Sequence, residues 1–313
     1  MDARSPVFAA FVRVAGSGSQ LMKDYIELTK PRITWLILMS TAVGFYFGLQ
    51  GGSSWWAFLA AIPYWKLFHT ILGTGLIASG TAALNQWFER EADYKMRRTK
   101  RRPLPSGRVS SSGALAFGIA LSAAGFTDLW LGCNLLAAML GALTLLSYLF
   151  IYTPMKQRTP LSTTIGAFPG AMPPMIGFAA AARTLTPQSW VLFAILFLWQ
   201  FPHFYSIAWL YREDYARAGI RMLPVVEPDC RSTARQIVLF GLALIPVSLV
   251  PSIFGMTGRL YLVGALVLGL YFLYSGVRVA LDRTLVRARA VLIVSVFYLP
   301  LIYGLMLLDR PGL

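Results

Sequence analysis

The chain has 313 residues, of which 57% are hydrophobic and 13% are charged, and its mean hydropathy is +0.60. A soluble domain carries roughly 25% charged residues, so this composition excludes a soluble globular protein and also a disordered chain. The net charge of +15 does not indicate nucleic acid, because the basic residues lie between apolar segments. Anionic lipid and an anionic substrate are the expected partners of an integral membrane protein with this charge.

Long apolar stretches predict the fold. A bilayer core about 30 Å thick is crossed by roughly 20 apolar residues in a helix. The sequence predicts an all-α integral membrane protein with nine transmembrane helices, at 33–51, 67–88, 113–132, 134–152, 162–182, 188–211, 235–255, 259–278 and 289–308. The stretches do not alternate as barrel strands do. We expect a single domain over 1–313 with a flexible tail at 1–23 and no cleaved signal peptide.

Lysine and arginine lie mostly on one side of these spans. All but four of the 28 basic residues fall on the side of the amino terminus. The four exceptions are Lys66, Arg183, Arg259 and Arg310. Because basic loops stay in the cytoplasm, the amino terminus is predicted inside and the carboxyl terminus outside.

The two cysteines are far apart in the sequence, which argues against a disulfide framework or a zinc site.

Acidic residues gather in two segments on the basic side. In the first segment, Asn85, Glu89 and Asp93 stand four residues apart, so a continuing helix places them on one face. Such oxygen side chains suit Mg²⁺, which keeps coordination positions for a substrate phosphate. Basic side chains follow and are able to hold phosphate oxygens. The alternative is an ordinary basic loop whose carboxylates pair with neighbouring arginines.

The second acidic segment follows the sixth span and contains Glu213 and Asp214, while Gln200 and His203 lie inside that span. Along an undistorted helix, Asp214 lies about 16 Å beyond His203 and about 20° from the same face. One face would then carry an imidazole in the bilayer and a carboxylate at its edge. That arrangement suits a large apolar substrate with one reactive polar end. The alternative for His203 is a packing role without functional contacts. The same alternative is favoured more strongly for His69.

Four stretches resemble one family of membrane enzymes. Asn85-xxx-Glu89-xxx-Asp93 and the basic residues after it resemble the first acidic motif of the intramembrane UbiA-type prenyltransferases. Three further stretches are similar to the protohaem IX farnesyltransferases (haem O synthases) within that superfamily. They are TKPRITWL at 29–36, YTPMKQRTPLSTTIGAFPGAMPPMIGF at 152–178, and WQFPHF followed by DYARAGIRMLPVV between 199 and 226.

The resemblance implies a specific reaction. It implies nine transmembrane helices around a central cavity, with two Mg²⁺-diphosphate motifs at the cytoplasmic mouth. Farnesyl passes from farnesyl diphosphate to a vinyl group of haem B, with addition of water, to give haem O. By position, Asn85, Glu89 and Asp93 correspond to the first motif and Asp214 to the second. The second motif is poor in acids, and Glu213 is the neighbouring candidate ligand.

These inferences define the expected site. The expected catalytic residues are Asn85, Glu89, Asp93 and Asp214, and the same four with Glu213 are expected to hold Mg²⁺. The expected diphosphate-binding residues are Lys95, Arg98, Arg102 and Lys156. The expected haem-binding residues are His203 and Gln200, with His203 or His69 as the candidate iron ligand. Aromatic side chains near the acids, Tyr152 and Phe204 among them, are candidates to shield a carbocation.

Other interpretations stay open. A prenyltransferase of the same fold acting on 4-hydroxybenzoate would not need His203, and a haem carrier would not need the acidic face. A transporter or channel would carry polar groups through the whole membrane depth, whereas here they crowd one rim. The expected partners are farnesyl diphosphate, haem B, the lipid bilayer and a downstream haem A synthase or terminal oxidase assembly, with no nucleic acid. The expected location is the bacterial inner membrane.

Overall fold

The computed structural model describes residues 18–49 and 62–311. Within these ranges every regular element is helical and no strand occurs. Of the predicted tail, 1–17 lie outside the described residues and 18–23 belong to a helix over 18–28. The last residues of the predicted first span, 50–51, also lie outside them.

Helices follow one another through most of the described chain. The first is α1 at 18–28. It is followed by α2 (Pro31–Gly48), α3 (Tyr64–Phe88), α4 (Arg90–Lys95), α5 (Ser111–Gly132), α6 (Leu135–Leu146), a π-helix (Ser147–Tyr152), α7 (Thr153–Met155), α8 (Ser162–Gly170), α9 (Pro173–Ala182), α10 (Pro187–Leu210), α11 (Arg212–Arg217), α12 (Leu223–Val226), α13 (Arg231–Ile253), α14 (Arg259–Leu281) and α15 (Leu285–Leu308).

Within the described ranges, eight helical segments are long and apolar enough to cross a bilayer. They correspond to the second through ninth predicted spans, with ends that agree to within about one helical turn. Helix α2 occupies the place of the first predicted span and packs against α3 and α9, but it is not one of these eight. The all-α membrane fold is confirmed, and the count of nine stays a prediction.

Local chemistry explains where the helices stop. Asn134 makes the tight turn between α5 and α6, because its side-chain oxygen accepts the backbone N–H of Ala137 at 3.0 Å. The π-helix ends two residues before Pro154, which has no N–H to continue the regular hydrogen-bond ladder. The fifth span is broken at Ala171 and Met172, between the prolines of α8 and α9.

Neighbouring helices close a ring around the cavities described below. Helix α2 packs on α3 and α9, α10 packs on α13 and α15, and α15 returns to α2. A side-chain carbon at Gly44 would overlap the carbonyl oxygen of Pro174, so α2 and α9 touch backbone to backbone. Beyond α15, Arg310 donates to the carbonyl oxygens of Tyr46 at 2.9 Å and Leu49 at 2.8 Å. The end of α15 is thereby tied to the end of α2.

Candidate active site

Two adjoining cavities lie between the helices. One, the polar mouth, has a volume of about 220 Å³ and lies where α3 and α10 end. The other, the apolar chamber, has a volume of about 150 Å³ and lies deeper, between α2, α3, α6 and α9. Lys30, Ile33 and Tyr148 line both. The polar mouth therefore leads into the apolar chamber past these three side chains.

The first acidic motif lies in the polar mouth. Asn85, Glu89 and Asp93 all line it. Helix α3 ends at Phe88, yet the Glu89 N–H donates to the Asn85 carbonyl at 2.9 Å and the Asp93 N–H to the Glu89 carbonyl at 2.7 Å. The helical repeat therefore continues across the break. The shared face predicted from the spacing is confirmed.

Each oxygen side chain of this motif contacts a different cation. The Glu89 Oε1 lies 2.7 Å from the Nζ of Lys156. The Asp93 Oδ2 lies 2.8 Å from Nη1 of Arg102, and Asp93 is only 1% exposed. The third pair is between Asn85 and Lys30, whose Nζ lies 3.2 Å from the Asn85 Oδ1. The three cations come from three different segments, so the tertiary fold assembles them.

Burial and pairing oppose each other in the protonation of these groups. Burial alone would raise the pKa of Glu89, but Lys156 and Lys30 hold that pKa below its ordinary value. Burial would lower the pKa of Lys156, and Glu89 outweighs it to hold that pKa well above the ordinary value. For Lys30, burial and the nearby Arg102 guanidinium lower the pKa to about 8. Lys30 is therefore the lysine of the mouth that loses its charge most easily.

Three of the four predicted diphosphate-binding residues line the polar mouth. They are Arg98, Arg102 and Lys156. Arg98 donates to the Tyr215 hydroxyl at 3.2 Å, and its guanidinium lies 4.7 Å from the centre of the Tyr211 ring. Lys95 is exposed and does not line the cavity. It stands two residues after Asp93, about 200° round the helix, and so points away from the mouth.

The second acidic segment reaches the same rim but faces it differently. Asp214 Oδ1 accepts the backbone N–H of Arg97 at 3.0 Å and also contacts the Arg217 guanidinium. Asp214 is 8% exposed and does not line the polar mouth. Burial would raise its pKa, but the Arg97 and Arg217 hydrogen bonds hold that pKa below its ordinary value. Glu213 is exposed and outside the mouth, so its placement gives no support to a ligand role.

The predicted haem-binding residues face other helices. Helix α10 ends at Leu210, so it does not continue to Asp214 as expected. The His203 Nδ1 lies 2.8 Å from the Ser295 hydroxyl on α15. The Gln200 amide donates to the Ala167 carbonyl at 3.1 Å. Neither side chain lines the polar mouth or the apolar chamber. Phe204, about 100° further round the helix, lines the mouth instead.

The other candidate histidine lies elsewhere. His69 is near the far end of α3, where its Nδ1 lies 2.7 Å from Asp128 Oδ1. That pair is far along α3 from Asn85, on the opposite side of the bilayer from the acidic motifs. The structure brings neither histidine into the two cavities, and the haem roles of His203, Gln200 and His69 stay predictions.

The donor atoms of the first motif fit a magnesium ion that arrives with a phosphate. Among the described residues, no group of three or more His, Cys, Asp or Glu side chains is gathered closely enough to hold a metal by itself. Mg²⁺, however, is bound by one or two carboxylates together with waters and substrate phosphates. Glu89 and Asp93 supply two carboxylates and Asn85 an amide oxygen on one wall of the mouth.

Sequence reasoning missed Lys30 and Tyr148, which line the mouth beside the first acidic motif. Lys30 and Tyr148 line both cavities but were not among the predicted site residues. Lys30 lies in the TKPRITWL stretch, directly before the proline that begins α2, so that stretch carried an unused signal. Tyr148 and Tyr152 flank the Nζ of Lys156, with ring centres 5.7 Å and 4.4 Å away. No local pattern marked Tyr148.

The apolar chamber extends along α3 beneath the motif. Ala82, Ala78 and Thr74 line it at successive turns. Thr74 is eleven residues before Asn85, which corresponds to about 16 Å along the helix. That depth is comparable to the length of an extended farnesyl chain. Thr74 is 3% exposed, so its side chain is almost completely covered at this depth.

The solved structures share this fold. A digeranylgeranylglyceryl phosphate synthase structure superposes with a TM-score of 0.76 at 17% identity, covering 94% of this chain and 100% of that chain. A UbiA homolog from Archaeoglobus fulgidus, bound to GPP and Mg²⁺, superposes with a TM-score of 0.58 at 15% identity. It covers 90% of this chain and 99% of that chain. At these identities the likeness concerns the fold.

Sequence comparison is more specific. A protoheme IX farnesyltransferase of Solibacter usitatus is 77% identical over 292 residues, covering 93% of this chain and 100% of that protein. The pattern of the UbiA prenyltransferase family matches residues 33–301. The matched range contains the first acidic motif and the whole of both cavities except Lys30. This chain belongs to the UbiA prenyltransferase family.

Proposed function

We propose that this enzyme transfers the farnesyl group of farnesyl diphosphate to the vinyl group of haem B, with addition of water, and releases haem O and diphosphate. One observation carries the proposal on the structural side. A mouth lined by carboxylates and cations opens directly into an apolar chamber, and the two together extend over about the length of a farnesyl chain. The 77% identity to a protein named protoheme IX farnesyltransferase supports the choice of prenyl donor and acceptor.

The cations of the mouth bind the diphosphate. Lys30, Arg98, Arg102 and Lys156 line it together. An allylic diphosphate ionises when the charge that develops on its leaving group is stabilised by fixed positive groups. Guanidinium groups hold phosphate oxygens in pairs, and the lysines contribute point charges. The substrate's polar end is thus oriented with its first carbon toward Tyr148 and the chamber.

The first motif would hold Mg²⁺ through Asn85, Glu89 and Asp93. When bound, the ion supplies positive charge that neutralises the leaving diphosphate. In the structure these oxygens contact Lys30, Lys156 and Arg102 instead. We propose that the cations exchange partners when substrate enters, moving from the protein's oxygens to those of the diphosphate. Asp214 supports this arrangement by fixing the backbone at Arg97, and its second carboxylate oxygen is a further candidate ligand.

The chamber protects the farnesyl group after ionisation. Its walls are mainly aliphatic, so water is excluded while the allylic cation waits for the vinyl carbon. Tyr148 and Tyr152 place ring faces beside the mouth, where an aromatic face stabilises a cation. The new cation beside the porphyrin is then captured by water, which supplies the hydroxyl group of the product.

The haem contacts belong to the proposal as well. His203 and Gln200 lie on α10, the helix that also lines the mouth through Phe204. We propose that haem docks at this helix and that His203 exchanges its contact with Ser295 for a contact with haem, in which neutral imidazole is able to ligate iron. The protein would lie in the bacterial inner membrane with its amino terminus in the cytoplasm, upstream of a haem A synthase or terminal oxidase assembly.

The experiment supplies isolated membranes with haem B, farnesyl diphosphate and Mg²⁺ and identifies the product by mass. We expect haem O, and we expect no prenylated product when 4-hydroxybenzoate replaces haem. Prenylated hydroxybenzoate in place of haem O would assign the chain to the alternative acceptor. For the histidine, His203→Ala should change the Soret band of bound haem. An unchanged Soret band would remove His203 from haem binding while leaving the prenyl donor site intact.

A further inference from the structure

A basic pocket lies between α13 and α14, away from the two cavities. Its volume is about 350 Å³, and Arg231, Arg235 and Arg283 line it together with Val238 and Leu239. It lies at the same end of the helices as the acidic motifs, because α13 begins directly after the segment that holds Asp214. No residue of the pocket lines the polar mouth or the apolar chamber.

The three arginines lack neutralising partners. Among the described residues, none of the three guanidinium groups forms an ion pair, and no carboxylate lines the pocket. Arg231 and Arg235 stand four residues apart on one helix, an arrangement in which like charges destabilise each other. Bringing a third guanidinium into the same pocket adds to that repulsion. An anion bound here would relieve it.

The nearby carboxylates are used elsewhere. Glu227 accepts the backbone N–H of Ser232 at 3.0 Å, and Asp229 accepts that of Arg231 at 3.3 Å. Asp282 lies 3.3 Å from the Nε of Arg287. The first two carboxylates therefore satisfy the start of α13, and the third pairs outside the pocket. The protein's own acids leave the positive charge of the pocket in place.

The pocket changes character with depth. Val238 and Leu239 follow Arg235 by three and four residues, so they lie one turn further along the same face of α13. Leu242 continues the face and is 53% exposed, as Leu239 is 50% exposed. Guanidinium groups thus stand above an exposed aliphatic surface that faces the bilayer. A free phosphate would use only the upper half of such a site.

From this juxtaposition we infer that the pocket binds an anionic glycerophospholipid, with its phosphate held by Arg231, Arg235 and Arg283 and its acyl chains lying along Val238, Leu239 and Leu242. Basic pockets between membrane helices on one face of the bilayer bind anionic headgroups in this way. The bound lipid bridges the start of α13 to the end of α14. This inference does not depend on the reaction that the enzyme catalyses.

The test uses the full chain in detergent, with native mass spectrometry during titration with phosphatidylglycerol. Each basic residue near an anionic surface contributes enough to change affinity about fivefold, so Arg235→Gln with Arg283→Gln should weaken the tightest binding step about 30-fold. The matched control is Arg289→Gln. Arg289 is exposed on α15 near the same membrane face but lies outside the pocket, and its variant should bind as the wild type does.

Further measurements distinguish binding of an anionic phospholipid from binding of any lipid or of free phosphate. Phosphatidylcholine, which has the same acyl chains and no net charge, should bind at least 30-fold more weakly than phosphatidylglycerol, and inorganic phosphate should not displace the lipid. Unchanged phosphatidylglycerol affinity in the double variant would overturn the assignment. So would equal losses in Arg289→Gln, equal binding of phosphatidylcholine, or displacement by phosphate. Farnesyl transfer by the double variant should remain normal in detergent, which serves as the check of folding.

Discussion

The two acidic segments reach the same rim and use their carboxylates differently. In the first, Glu89 and Asp93 line the polar mouth, where Glu89 contacts Lys156 from 67 positions away and Asp93 contacts Arg102 nine positions further along the same segment. In the second, Asp214 does not line the mouth and accepts the backbone N–H of Arg97, while Glu213 is exposed. Acid content alone did not distinguish these segments; the partner of each carboxylate does.

The difference indicates a division of labour. The first segment contributes groups that touch substrate after exchanging partners. The second fixes the stretch of chain between Arg97 and Arg102, which carries two of the phosphate-binding arginines. Variants in the two segments should therefore fail in different ways, by lost chemistry in one and by lost order of the loop in the other.

The largest effect is expected from Asp93→Asn. Removing one preorganised group at a site of developing charge typically lowers turnover by about 10²–10³-fold, and we expect a loss of that size in haem O formation at saturating Mg²⁺. The matched control is Asp24→Asn. Asp24 is also buried and paired with an arginine, Arg108, at 3.0 Å, but it lies outside the mouth. Near-normal turnover in Asp93→Asn would reject the role of the first motif.

Two substitutions at Asp214 should separate the effect of its hydrogen bond to the Arg97 backbone from the effect of its charge. Asp214→Asn keeps an oxygen to accept the Arg97 N–H, whereas Asp214→Ala does not. Because a hydrogen bond to a charged group contributes about 1.5–3 kcal/mol, we expect kcat/KM to fall about tenfold or more in the alanine variant and less in the asparagine variant. Only the alanine variant should also show a lower melting temperature and faster proteolysis in the loop after Asp93. Equal melting temperatures in the two variants would contradict the anchoring role.

Lys30 should make the reaction at the polar mouth sensitive to pH. Its pKa is lowered to about 8 by burial and by Arg102, so the free enzyme loses this positive charge as pH rises through 8. We expect kcat/KM for farnesyl diphosphate to fall by severalfold between about pH 7 and pH 9, since kcat/KM reports groups of the free enzyme. Lys30→Arg keeps its charge and should remove this limb of the profile. A profile that is identical in both proteins would show that another group titrates.

The smallest effect is expected from Glu213→Gln. The sequence interpretation makes Glu213 a metal ligand, whereas its exposed position outside the mouth makes it an ordinary surface residue. Exposed substitutions of this kind usually change stability by less than 0.5 kcal/mol. We expect haem O formation and Mg²⁺ dependence within about twofold of the wild type. A shifted Mg²⁺ requirement would restore the residue to the metal site.

Much of the fold was predictable because membrane-spanning helices are recognised in a sequence by their length and their apolar composition. The ends of α3 and α5 agree closely with the spans predicted at 67–88 and 113–132. The breaks inside spans were not predictable in the same way. The π-helix before Pro154 and the interruption at Ala171 depend on how proline distorts a ladder that hydropathy does not register.

The residues of the site divide in the same way, into those that a local pattern predicts and those that depend on the tertiary fold. Asn85, Glu89 and Asp93 were found because helical spacing is a local property. Lys30 was missed because it reaches Asn85 from 55 positions away, a contact that only tertiary packing creates. Lys95 was predicted on charge, and helix register places it on the wrong face. Glu213 lies about 100° from Asp214 around the helix axis. Residue composition does not reveal that difference.

The π-helix at Ser147–Tyr152 has a consequence for how this family can vary in length. A π turn holds one residue more than an α turn, so it acts as an inserted position within the span. Deleting one of its residues would restore an α turn and leave the flanking segments in register, because the π turn already holds the additional residue within a single turn. The same deletion in the regular helix α6 would instead rotate the segments on either side of it by about 100° relative to each other. Only that second deletion would carry Lys156 away from Glu89, so the π-helix is the place where this span can lose one residue and keep its ion pair.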